Sequence, residues 1–262
     1  MKKYLQLSSL FLVIGLILFS CNKEKAPNKQ SIPSVEGEGV LINGIRWATC
    51  NLGEDGKFVA NPEDYGALFQ WGRRADGHQR RTSPSYPTNI NTILEGIEEG
   101  AINTSELDAN GQVPPSHDAY GKFIKANETL DWRMEQDSSL WNAGTKENPV
   151  KSENDPCPNG WRIPTKDEWS NLWWATDKGG GELGELNGVK GAFFVSGDNQ
   201  LFLPYGGYRD CRWGGMDYVG SRGAYWSSTA TRLHGHACAW SFQNVGVAYY
   251  SGWGFSIRCV AE

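Results

Sequence analysis

Three stretches of the sequence carry side chains able to do chemistry. In "DPCPNGWRIPTKDEW", Asp155 to Trp169, Cys157 could be a nucleophile, a metal ligand or a disulfide partner. A reactive thiol needs its pKa lowered by a neighbouring cation or a helix N-terminus. Cys157 lies eight residues before the predicted helix start at Thr165, so a structural role is favoured. In "HGHAC", His234, His236 and Cys238 fall at i, i+2 and i+4, and an extended strand would turn all three to one face. Such N and S ligands suit zinc or copper, but a pair of solvated strand-edge histidines accounts for the same residues, and no metal or other cofactor is expected. The third stretch, "PYGGYRDCRWGGMDYVGSRG", sets Tyr208, Arg209, Asp210, Arg212, Trp213, Asp217 and Tyr218 among six glycines. Aromatic faces stack on sugars or apolar ligands, and Arg and Asp add directional hydrogen bonds. A Gly-rich backbone lets these side chains stand on a surface loop. The competing reading makes Trp213 and Tyr218 core fillers.

Catalytic signatures are missing from the chain. It holds no G-x-S-x-G, H-E-x-x-H, Walker A or EF-hand pattern, and Asp167 and Glu168 are accounted for by helix capping. A non-enzymatic binding module is the expectation. The formal net charge is −5 with acids and bases interspersed, which excludes a nucleic-acid binder. The basic cluster "RRADGHQRR", Arg73 to Arg81, reads as a solvated loop, with an anionic glycan or lipid headgroup as its alternative partner.

The N-terminus bears on where these residues work. Lys2 and Lys3 precede an apolar run of roughly ten residues, too short for a bilayer span but right for a secretory signal. The run ends in "LFSC", which resembles a bacterial lipobox, so residues 1–20 are predicted to be a signal peptide and Cys21 the lipidated mature N-terminus. Acyl chains there would hold the protein to a membrane, since each buried CH2 adds about 0.8 kcal/mol. Residues 21–38, polar and with two prolines, read as a flexible tether reaching about 60 Å when extended. The remainder, 39–262, is long enough for one domain with a large core.

With 32 Gly, 12 Trp and 10 Tyr in 262 residues, the chain favours many turns and large aromatic fillers, hence a β-rich or irregular α+β domain. "VLINGIRWA", Val40 to Ala48, predicts two strands about an Asn-Gly turn, and "YGALFQWG", Tyr65 to Gly72, another strand. Residues 73–154 read as an irregular insertion with one candidate helix near Ile90 to Glu99. Thr165 and Glu168 form a T-x-x-E capping box, and Trp169, Leu172 and Trp173 give the following helix one apolar face. About six alternating segments then predict a largely antiparallel sheet: "GAFFVS", "QLFLPY", "AYWSST", "ACAWSFQ", "VGVAYYSG" and "FSIRCVA". Trp226 and Trp240 are assigned to the core.

Taken in order, "GIRWATCNLG", "YGALFQWGRRADGH", "CPNGWRIPTKDEW", "LFLPYGGYRD", "AYWSST" and "FSIRCV" resemble the Fibrobacter succinogenes major paralogous domain family, often carried by lipoproteins of Bacteroidetes. The resemblance covers roughly Val40 to Val260. It implies an α+β, C-type lectin-like fold: a twisted antiparallel sheet of short strands, one or two packed helices, and a long irregular loop carrying ligand contacts. It also implies a disulfide between Cys157, near the helix, and Cys259, in the last strand. Closing a loop of about 100 residues is worth up to about 4.7 kcal/mol. A second bridge, Cys211 to Cys238, would tie the long loop to a later strand and leave Cys50 free. Calcium-dependent lectins use Glu-Pro-Asn or Gln-Pro-Asp beside Trp-Asn-Asp; neither triplet occurs, so calcium is not expected. Formylglycine-generating enzymes, copper-dependent oxidases with a cysteine pair, share the fold, but their site has no match here and fold alone transfers no function. The resulting expectation is an outer-membrane lipoprotein of a Gram-negative bacterium, facing either the surface or the periplasm. It would recognise a glycan or an envelope protein in an adhesin-like role, or else form a structural part of a surface appendage.

Overall fold

Asn43 and Gly44 adopt φ of 46° and 80°, the left-handed backbone that a two-residue hairpin turn demands. They join β1 (Val40–Ile42) to β2 (Ile45–Trp47), as the Asn-Gly pair predicts. The structure, a computed structural model, describes residues 39–88, 100–126, 128–175, 179–231, 236–241 and 244–262. The expected signal peptide, Cys21, the tether, the helix near Ile90 to Glu99 and His234 lie outside these residues.

Further along come β3 (Phe69–Gln70), β4 (Ser85–Tyr86), β5 (Phe123–Ile124), β6 (Trp161–Arg162) and the helix α1 (Lys166–Trp173). Next are β7 (Glu182–Leu186), β8 (Val189–Ser196), β9 (Asn199–Pro204), β10 (Tyr208–Arg209) and β11 (Met216–Asp217). The chain closes with β12 (Ala224–Ala230), β13 (His236–Ser241), β14 (Asn244–Tyr250), β15 (Gly254–Phe255) and β16 (Val260–Ala261). They form five small sheets, ordered β1-β2-β16-β6, β11-β10-β15-β3, β12-β13-β14, β4-β5 and β7-β8-β9. Only the β4-β5 ladder among them is parallel.

This organisation corrects the α+β, lectin-like expectation. Among the described residues there are sixteen strands and one α-helix of eight residues, so the chain is mostly β. The physical reason is visible in α1 itself. Thr165 and Glu168 complete their capping box, and Trp169 and Leu172 bury one face. Elsewhere turns interrupt the chain every few residues, and no comparable capped, periodic run follows. The six segments read as strands fall on β8, β9, β12, β13, β14 and the β15–β16 pair, with shorter strands between them.

The last strand is the keystone of the first sheet. Val260 of β16 pairs with Trp47 on one side and Arg162 on the other. Beside it Cys259 is bonded to Cys157, with Cα atoms 6.2 Å apart, as the resemblance implied. The ladder to β2 thus fastens the two ends of the domain, and the covalent bond fastens the C-terminal strand to the middle of the chain.

Two apolar clusters fill the interior. One gathers Trp47, Trp169, Leu172, Tyr225 and Val260 around α1 and the first sheet. The larger holds Trp71, Trp132, Trp141, Trp226 and Phe255. Ile102, Val113, Ile124, Trp132 and Trp141 of the irregular stretch 73–154 belong to this larger cluster, so that stretch builds the core instead of decorating it. Four of the buried indoles find a carbonyl at 2.7–3.0 Å: Trp71 donates to Ser227, Trp132 to Trp71, Trp169 to Trp226 and Trp226 to Phe69, whereas the buried Trp47 N–H meets no described acceptor. Buried Trp N–H groups usually find such partners. These bonds tie the second sheet, the third sheet and α1 into one body. Trp226 is core as expected; the side chain of Trp240 lies outside the described residues.

Candidate functional site

Neighbouring residues on a strand face opposite ways, and this rule divides the segment 204–223 in two. Arg209 of β10 turns inward. Its guanidinium donates to Gly214 O (2.6 Å), Ser83 O (2.8 Å), Ser83 Oγ (2.6 Å) and Ser85 Oγ (3.1 Å), and it sits 4.2 Å from the Phe123 ring centroid. Burial pulls its pKa down to about 10. Arg209 is therefore a structural pin joining β10 to the segment before β4, which corrects its expected role as a ligand contact.

Tyr208 faces the other way and begins an aromatic platform. Its ring stacks on Trp253 at 5.1 Å with a 10° interplanar angle and meets Tyr218 at 5.5 Å. Tyr250 contacts Trp253 edge-on at 5.9 Å. Arg222 lies 4.0 Å from the Tyr218 centroid, holding that ring between a cation and Tyr208. Tyr218 and Trp213 are 47% and 55% exposed, which removes both from the core reading. Trp213 lies so close over Gly215 that a Cβ there would fall 1.5 Å from the indole, so a larger residue at 215 would push the exposed ring aside.

Charged groups border the rings. Asp210 Oδ1 accepts from the backbone N–H of Arg212 (2.7 Å), and its Oδ2 accepts from Arg212 Nη2 (3.0 Å). Asp210 is buried while the Arg212 head stays about half exposed, so the pair presents its cation to solvent. Asp217 pairs with Tyr208 across the β10–β11 ladder. Partial burial and then the Asp210 charge raise its pKa, with Arg212 opposing. Burial, then Tyr218 and Asp217, push the Tyr208 phenol up to about 12, so it stays a neutral donor.

Tyr208, Asp210, Arg212, Asp217 and Tyr218 are thus brought together, with Trp213 exposed on the same turn. Trp253, Tyr250 and Arg222 were not singled out from the sequence. The signal for the first two was the aromatic density of "AYYSGW", which alternation assigns to a half-buried strand, since it cannot say that the next ring stacks on Tyr208.

The remaining cysteines do not form the second expected bridge. Cys211 and Cys238 are free and buried. Cys211 packs against Gly252, and its carbonyl accepts from Ala126 N at 2.8 Å. Cys238, in β13, has the charges of Lys166 and Asp167 at the start of α1 as its neighbours. The two thiols therefore serve different packing layers. Burial raises both pKa values, and likewise that of free Cys50, so none is a nucleophilic thiolate. The side chain of His236 lies outside the described residues, so the "HGHAC" face is not defined. Among the described residues no group of three or more His, Cys, Asp and Glu converges on one point.

Within residues 73–81 the solvated-loop reading fails for Arg73, Asp76 and His78, while Arg80 is exposed as that reading has it. Arg73 and His78 are fully buried. Arg73 donates to Gln70 Oε1 and Lys122 O at 2.9 Å each and pairs with Asp76. Asp76 Oδ1 lies 2.7 Å from His78 Nδ1, and His78 Nε2 accepts from Gln70 N at 3.1 Å. Burial and then Arg73 lower the His78 pKa to about 4. Burial alone would raise the Asp76 carboxyl, but Arg73 and His78 outweigh it and hold it well below the usual range. An Asp–His pair suits a general base only when the far nitrogen is free. Here a backbone N–H occupies it, so the cluster is structural.

Comparison with family models, with curated proteins and with solved structures finds no match to this chain.

Proposed function

We propose that the chain is a lipid-anchored binding module of the bacterial cell envelope, tethered through Cys21 and related to the paralogous domains its motifs resemble. Its recognition surface is the Tyr208–Tyr218–Trp253 platform, and its ligand a glycan. The observation that carries this reading is the partly buried Tyr208–Trp253 stack, with the exposed Tyr218 ring beside it, bordered by Asp217 and the Asp210–Arg212 pair. Sugar rings offer C–H faces to aromatic rings and hydroxyls to charged groups at their edge, and the platform supplies both. With its thiols buried and His78 sealed, the described chemistry supports recognition better than catalysis. A structural role in a surface appendage is the competing reading.

A glycan array probed with the full-length protein in mild detergent tests the proposal. Specific hits that disappear in Tyr218→Ala and Asp217→Ala support it. A blank array, or hits indifferent to both substitutions, sinks it, and co-purification of envelope proteins would then favour the structural role.

A further inference from the structure

One cation at the platform meets no anion among the described residues. Arg222 is exposed and its guanidinium sits 4.0 Å from the Tyr218 ring centroid. Among the described residues only Arg80 and Arg222 have heads that donate to no carbonyl, hydroxyl or carboxylate, since each other described arginine holds at least one such partner. Of those two, Arg222 alone lies over a described ring. Its backbone is nonetheless held firmly. Arg222 N and Ser221 N both donate to Tyr218 O at 3.0 Å, Arg222 O accepts from Gly207 N at 2.8 Å, and Gly220 N donates to Tyr205 O at 2.8 Å. A turn wound on the Tyr218 carbonyl thus sets an unpaired, solvent-open guanidinium beside the rings. Its fork of N–H donors matches the two oxygens of a carboxylate.

The other charges at the border leave that role to Arg222. Arg212 already has Asp210, so its charge is matched within the chain. Asp217 faces Tyr208 across the β10–β11 ladder, and the charges that bear on it are those of Asp210 and Arg212, whereas the Arg222 charge bears on Tyr208. The border is therefore polarised, with a free cation towards Tyr218 and a carboxylate acceptor towards Arg212. A sugar that sets its own carboxylate on Arg222 and its hydroxyls towards Asp217 satisfies both ends without opposing like charges. We propose that the glycan bound at the platform is acidic, and that Arg222 holds a carboxylate of one of its sugars. This inference rests on the platform reading and names the ligand class within it.

An array of paired oligosaccharides tests this, each uronic- or sialic-acid glycan printed beside its carboxyl-reduced counterpart and probed with the full-length protein in mild detergent. The wild type should favour the acidic member of a pair. Arg222→Gln should bind that member about tenfold more weakly, the loss of a charge-assisted contact, and the reduced member within about twofold of the wild type. Arg80→Gln removes an equal charge from an arginine over no described ring, and should leave both members within about twofold. Equal affinity within pairs, or a preference for the reduced members, overturns the inference. So do equal losses in the two arginine variants, or Arg222→Gln binding the acidic member as the wild type does. In each of these cases hits that vanish in Tyr218→Ala leave the platform reading standing, whereas a blank array overturns both.

Discussion

Segments 73–81 and 208–218 look alike in sequence, each mixing Arg, Asp and Gly, and the fold treats them oppositely. In the first, Arg73, Asp76 and His78 meet one another and are sealed in. In the second, Arg209 goes inside, where it finds Ser83, Ser85 and Gly214, and Asp210 is buried too, while the Arg212 head that pairs with it stays about half exposed. The difference lies in partners, not polarity. A charged group is buried where its whole hydrogen-bonding capacity is nearly met, and stays wet where one partner suffices.

The sharpest way to break this comparison is to remove one partner on each side. Asp76→Ala leaves the Arg73 guanidinium buried and uncompensated, which should cost about 3–5 kcal/mol. Asp217→Ala, at the platform edge, should stay within about 0.5 kcal/mol. Chemical denaturation of both variants checks the pair. Equal losses would mean that the two segments are buried alike.

A pH series sharpens the comparison next. His78 titrates at about 4 in the folded chain and near 6.5 unfolded, so its contribution is present above pH 6.5 and lost as pH falls towards 4. By linkage this is about 3 kcal/mol. Asp131 works the other way. Burial raises its carboxyl to about 7 from an ordinary 3.8, so its contribution is full below pH 3.8 and lost as pH rises through 7. The two effects oppose each other across the same window, and the raised carboxyl of buried Asp155 adds to the Asp131 side. Asp131→Asn keeps an oxygen for the Arg133 N–H but removes the titration. Its stability should therefore climb by about 3 kcal/mol more than the wild type's from pH 4 to 6.5. A profile parallel to the wild type's would show that Asp131 is not sealed.

How much of this was legible in the sequence depends on how local the cause is. The Asn43–Gly44 turn and the Thr165–Glu168 box act over two to four residues, and both stand where the sequence puts them. The Cys157–Cys259 bond spans 102 residues and became readable only through a family resemblance. The β16 strand slots between β2 and β6, and Trp253 reaches Tyr208, through pairings with no local trace. The α+β expectation fails for a related reason: one well-capped helix makes no layer by itself, and the described residues hold no second α-helix, only the three-residue 3-10 helix Thr104–Glu106. Within the candidate site, residue types identified the segment, but alternation along β10, which separates Arg209 from Tyr208, could be applied only once the strand's facing was fixed.

Arginine replacement within that one segment tests the division directly. Arg209→Gln removes the donors to Ser83 and Ser85 and strips a cation from the Phe123 face. Hydrogen bonds from charged groups contribute about 1.5–3 kcal/mol, so a loss of about 2–3 kcal/mol is expected in thermal or chemical melts. Its effect on glycan binding should follow only from that loss of stability.

The smallest effect on stability should accompany the largest effect on binding. Trp213 rests over Gly215 with more than half of its surface open, so Trp213→Ala gives up little buried area. A buried Trp truncated to Ala costs about 3–5 kcal/mol, whereas exposed positions usually shift stability by under about 0.5. Arg212→Ala frees Asp210 from one partner but leaves it the backbone N–H groups of Arg212 and Trp213. Both variants should melt close to the wild type and bind glycan more weakly. Measuring melting and binding on the same preparations separates the two roles. If Trp213→Ala lowers the melting temperature sharply while Arg212→Ala leaves binding intact, then this turn packs the fold as Arg73 does, and the contrast between the two segments disappears.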